Sequence, residues 1–147
     1  MDDFTERPYC VVDILPRQVP ADSGGQYFAV ERWLLAPERA ADIYRRFAAI
    51  LLKLSCYCEL QVSRDPEAGW MSAPEPETLD RLVNESVPDK NGAAEYLYIR
   101  VCPEEAVFML SGDLCMTLYG ASDALKELTG QLTSAEGLFF WSPPENV

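Results

Sequence analysis

No histidine occurs among the 147 residues of this chain. The commonest general base and the commonest metal ligand are therefore missing, and any Ser-His-Asp or Cys-His arrangement with them. The phosphate-cradling GxxxxGKS/T pattern is absent, as are GxGxxG and GxSxG. Chemistry would have to come from thiols, carboxylates, arginines and aromatic rings. Cys56-x-Cys58 is the nearest approach to a metal motif. Alternation along a strand would set both thiols on one face. A structural zinc needs two further ligands, and no CxxC knuckle exists to supply them. Packing is the plainer account, and we expect no metal and no other cofactor.

Asp13 and Glu31 each interrupt an apolar stretch, where a charge must be paired or solvated. Together with Arg100 they form a candidate polar pocket, since paired carboxylates can run acid–base chemistry or hold magnesium. The plainer account is a cross-strand ion pair or an edge charge that blocks aggregation. A second group is aromatic. In YLYIRV, Tyr96, Tyr98 and Arg100 alternate with Leu97, Ile99 and Val101, so one strand face is apolar and the other carries tyrosine and arginine. Thr117 and Tyr119 fall on a similar alternation. Tyrosine and arginine are favoured at protein interfaces because they pair apolar area with a polar tip. Trp70 and Met71 complete the interaction candidates. They sit in an acidic, proline-rich loop, residues 64–76, where regular structure is not expected. We expect Trp70 to fold back as a lid on the core edge, because an exposed indole forgoes ~2 kcal/mol or more of burial.

These residues need elements to position them. YCVVDIL, residues 9–15, reads as a strand and Pro16 ends it. Residues 26–35 read as a second strand, from the alternation of Phe28, Val30 and Leu34 before Pro37. Pro37 fits the first turn of a long helix over Pro37–Leu54, with Ala40, Tyr44, Phe47, Leu51 and Leu54 as its stripe. A strand over 57–63, a short helix from Pro76 and a strand over 96–101 follow. The clearest unit is last. AVFML and LCMTLY flank the turn Ser111-Gly112-Asp113. Ser122 caps a helix with a stripe at Leu125, Leu128, Leu132 and Ala135. Gly137 ends it, and LFFW is a closing strand. The order is β-β-α-β-α-β-β-β-α-β. Runs of strands joined by short turns predict an α+β fold with a mainly antiparallel sheet of six to seven strands, two longer helices and one short one. A β-β-α-β pattern at 9–63 and again at 105–142 suggests a pseudo-repeat.

The length predicts one domain over residues 1–147, with residues 1–8 a frayed N-terminus. No apolar run reaches the ~18 residues of a membrane span. The acidic start does not read as an export signal. The five cysteines are odd in number. We therefore expect a cytoplasmic protein with reduced thiols and no membrane association. The net charge is −12 and uneven: residues 65–147 carry fifteen acids against four bases. Such a surface repels phosphate backbones, which argues against nucleic acid, and suits a basic protein partner. The functional expectation is a non-enzymatic interaction module. In size and charge it is comparable with bacterial immunity proteins, and its aromatic sheet face could also support self-association. The alternative is a small-molecule-binding domain or enzyme that uses carboxylate and tyrosine groups in a cleft.

Overall fold

The computed structural model describes residues 3–20, 22, 25–89, 91 and 93–144. The elements in chain order are a 3-10 turn (Phe4–Glu6), β1 (Tyr9–Asp13), α1 (Gln26–Leu34), α2 (Pro37–Leu54), β2 (Glu59–Ser63), β3 (Met71–Ser72), α3 (Pro76–Asn84), β4 (Leu97–Cys102), β5 (Ala106–Leu110), β6 (Cys115–Tyr119), α4 (Asp123–Ala135) and β7 (Phe139–Trp141). The fold is α+β. Seven strands form one sheet in the order β3-β2-β4-β5-β6-β1-β7, with every pairing antiparallel.

Period-two alternation decides which side of this sheet is dry. Leu60 and Val62, then Leu97, Ile99 and Val101, then Ala106, Phe108 and Leu110, then Met116 and Leu118, then Cys10 and Val12 lie in register on one face, and all are buried. Helices α2, α3 and α4 cover that face. The middle one, α2, gives it Tyr44, Phe47, Ile50, Leu51 and Leu54. Proline at its first position suits a helix start, because its missing N–H has no intrahelical acceptor there. The Tyr44 hydroxyl donates to the Asp113 carbonyl at 2.7 Å, which ties α2 to the β5–β6 turn. Gly112 makes that turn possible. Its φ is +87°, and a Cβ there would come within 2.5 Å of the Ala94 Cβ.

Several expectations need correction. Residues 26–34 are a helix, not a strand. Phe28, Val30 and Leu34 happen to alternate, but the Tyr27 hydroxyl donates to Glu31 one helical turn on, at 3.1 Å, and Leu34 and Leu35 reach the core. The first strand pair of the suggested pseudo-repeat therefore does not exist. Met71 lies in a two-residue edge strand inside the segment read as loop, paired with Val62. The strand read over 57–63 starts at Glu59, so Cys56 and Cys58 fall in the turn after α2 rather than on one strand face. Of the N-terminal segment read as frayed, Met1 and Asp2 lie outside the described residues, while Phe4 is buried and Asp3 caps the 3-10 turn.

The stripe of α4 is also displaced. Ser122 caps the helix as expected, accepting from the Leu125 N–H at 3.2 Å. Leu125, Thr129 and Thr133 form its buried line, while Leu128 and Leu132 are half-buried and Ala135 is exposed. Counting apolar residues misses threonine, whose methyl packs while its hydroxyl bonds to helix backbone. Thr133 Oγ1 donates to the Thr129 carbonyl at 2.7 Å, but among the described residues the buried Thr129 hydroxyl has no partner. Thr129→Val should remove that orphan and raise stability by about 1 kcal/mol. A urea midpoint that fails to rise would show that the hydroxyl is satisfied in solution.

Candidate functional site

Three helices on one side leave the other side of the sheet without helical cover over β2, β4 and β5. Its residues are the alternates of the core: Gln61 and Ser63, Tyr98 and Arg100, Val107 and Met109, Thr117 and Tyr119, then Tyr9, Val11 and Asp13. A chain of rings crosses it. Tyr9 meets Tyr119 at 5.9 Å between centroids, Tyr119 meets Phe4 at 5.4 Å, Phe4 meets Tyr98 at 5.9 Å, and Tyr98 meets Tyr96 at 6.4 Å. The Phe4 contacts are edge-on, the arrangement that ring quadrupoles favour. Tyr98, Arg100 and Tyr119 thus share this face, with exposed Tyr96 just before β4. Burial pushes the Tyr98 and Tyr119 phenols up, and the neighbouring rings and acids add to it, so both are neutral hydrogen-bonding groups at neutral pH.

Two concavities flank this chain. The first is a groove of about 730 Å³ floored by Phe4, Tyr98 and Met109 and walled by Asp3, Asp65 and Glu67. Among the described residues no lysine or arginine lines it. The turn that carries its acids is held in place: the Ser63 hydroxyl donates to the Gly69 carbonyl at 2.6 Å and accepts from the Asp65 N–H at 3.0 Å.

The second is a pocket of about 370 Å³ between the β1–β6–β7 end of the face and α1. Asp13 lies in it. Its carboxylate accepts from Trp141 Nε1 at 3.1 Å and from the Ile14 N–H at 2.7 Å. Burial nevertheless holds its pKa above the ordinary value, with the charge of Asp113 acting in the same sense. Tyr27 and Cys115 also line it. Burial raises the Tyr27 phenol, reinforced by Glu31, and burial with Asp113 raises the Cys115 thiol. A thiol so shifted is not a nucleophile at neutral pH.

The polar pocket read from the sequence divides here. Asp13 and Glu31 come near each other across Tyr27. Arg100 lies three strands away, at the other end of the face, on the order of 20 Å by strand spacing and rise. It donates to Gln61 Oε1 through Nε at 2.8 Å, and its guanidinium lies 4.6 Å from the centre of the Trp70 ring. Trp70 is half-buried. With Val62, Leu82 and Leu97 it borders a cleft of about 490 Å³ at the β2 edge of the core. Trp70→Ala should therefore lower the melting temperature by several degrees, as ~1–2 kcal/mol does in a domain of this size. An unchanged melting temperature would mean that the ring adds nothing to the fold.

The sequence does not single out Phe4, Tyr27, Met109 or Trp141. Phe4 falls in a segment read as frayed, and Tyr27 in one read as a strand. The alternation of β5 and the closing LFFW run place Met109 and Trp141 on strand faces, but do not say which concavities those faces border. Among the described residues no group of three or more acids and cysteines has the arrangement of a metal site, and no helix is long and apolar enough to cross a membrane. Compared with family models, curated proteins and solved structures, the chain matches none.

Proposed function

We propose that the protein is a non-catalytic interaction module that binds a basic protein through the helix-free face of its sheet. The supporting observation is the groove over Tyr98 and Met109, where three carboxylates stand on an aromatic floor and, among the described residues, no lysine or arginine lines the walls. A lysine or arginine laid across Tyr98 would gain ring contact below and carboxylates beside it. The excess of acid in residues 65–147 would steer such a partner over a longer range. An inhibitor of the immunity type, neutralising a basic protein, has this character. The five unpaired thiols are compatible with a reducing compartment such as the cytoplasm.

The alternative, a small-molecule site or enzyme, draws on the pocket at Asp13. There the raised Tyr27 and Cys115 lack the activation that a base or nucleophile needs. The test begins with recovery of the partner from the native cell by pull-down and mass spectrometry. Its association rate should then fall steeply with salt, and Asp65→Lys/Glu67→Lys should weaken binding at least tenfold while the protein still melts cooperatively, although the exposed bond from the Glu67 N–H to Asp65 Oδ1 is lost. Both acids are exposed, so reversal leaves the core intact. Undiminished binding to the double variant, or recovery of only further copies of this chain, would overturn the reading.

A further inference from the structure

The pocket beside α1 has a composition of its own. Its walls include four aromatic side chains, Tyr9, Tyr27, Phe28 and Trp141, around the carboxylate of Asp13. Its volume, about 370 Å³, is that of a site for a small organic molecule. Phe28 is 64% exposed. It stands outside the core with its ring edge-on to that of Tyr27, 5.8 Å between centroids, and leaves most of its surface free for a ligand.

The sign of the charge around the pocket is uniform. Asp13 lies within electrostatic reach of Asp113, and Tyr27 within reach of both Glu31 and Asp13. Among the described residues no lysine or arginine lines the pocket, and none is ion-paired with Asp13, Glu31 or Asp113. Electron-rich ring faces and an uncompensated carboxylate favour the same ligand charge. The floor keeps its shape without a ligand, because Trp141 and the Ile14 N–H already fix the Asp13 oxygens.

We infer that this pocket binds a small organic ammonium, held by the Asp13 carboxylate and enclosed by the rings of Tyr9, Tyr27, Phe28 and Trp141. The site is separate from the acidic groove over Tyr98, so it stands or falls independently of the proposed partner. The ligand's nitrogen would sit near the free side of the Asp13 carboxylate, with its carbon atoms against the rings.

Trp141 reports on occupancy. In a Trp33→Phe/Trp70→Phe background, titration with choline, n-butylammonium and benzylammonium should change its emission saturably for at least one of the three. The neutral counterparts 3,3-dimethylbutanol, n-butanol and benzyl alcohol should bind at least tenfold more weakly. Asp13→Asn should weaken the ammonium at least tenfold and leave the alcohol unchanged. Phe28→Ala, at an exposed position outside the core, should also weaken it and serves if Asp13→Asn proves unstable. Asp65→Lys/Glu67→Lys should leave ammonium affinity unchanged. No saturable binding by any of the three, equal affinity for ammonium and alcohol, or indifference to Phe28→Ala would overturn the assignment.

Discussion

Arg64→Ala should destabilise the protein by about 3 kcal/mol, an effect usually reserved for core residues. Arg64 follows β2 and reaches under the chain that leads into β4. Its guanidinium donates to the Ser86 hydroxyl at 2.8 Å, the Leu82 carbonyl at 2.9 Å, the Tyr96 carbonyl at 3.0 Å and the Glu95 carbonyl at 3.3 Å. Glu95 and Glu85 lie within 3.5 and 3.7 Å of it. The exposed ion pairs are worth little, because water screens them. The carbonyl and hydroxyl bonds matter more. Ser86 is fully buried, and removing the donor leaves acceptors from the end of α3 and the approach to β4 without this partner. A planar fork serves four acceptors at once; an ammonium has no such geometry. Arg64→Lys should therefore recover less than half of the loss. Urea denaturation of the two variants measures this. A loss under 1 kcal/mol for alanine, or full recovery by lysine, would mean that the carbonyls find water and the clamp is decorative.

Phe108→Ala and Met109→Ala should differ by several kcal/mol although the residues are adjacent. Phe108 is fully buried on β5, the middle strand of the sheet, between Ile99 and Leu118 and against the helices. Truncation there loses about 3–5 kcal/mol, by lost transfer energy and the cavity left behind. Met109 points to the other side, half-buried on the floor of the acidic groove. Its truncation should cost about 1 kcal/mol or less, since water can follow. Equal losses would mean that the face without helices carries a second core, and would remove the groove as an open surface.

The sequence was most legible where period and boundary signals agreed. Pro37–Leu54 has a helical stripe and a proline at its first position, and residues 106–119 have two clean alternations around a glycine turn. The face carrying Tyr98 and Arg100 followed from the same alternation. Residues 26–34 failed because their apolar residues satisfy both periods, and the deciding contacts, Leu34 and Leu35 on the core, are made with distant chain. The candidate site was legible only in part, for the same reason. Asp13 and Glu31 stand out as charges among apolar residues, but their separation from Arg100 depends on strand order. The groove needs Phe4 brought against Tyr98 and Tyr119 from far along the chain. No local pattern encodes that meeting.

Strand β1 lies between β6 and β7, with Tyr9 opposite Tyr119 and Val11 opposite Trp141. During synthesis the first strand made is therefore among the last to find its place. At roughly 5–20 residues per second it waits on the order of ten seconds for Trp141 to be made. Val11 and Val12 have no partner strand until β6 is made, and the other edge of β1 stays open to any extended chain until β7 follows. Pairings this distant in sequence also slow refolding of the finished protein. Among the described residues β7 hydrogen-bonds to β1 alone. Loss of the first thirteen residues would thus strip two strands from the sheet, the second of them more than a hundred positions from the cut.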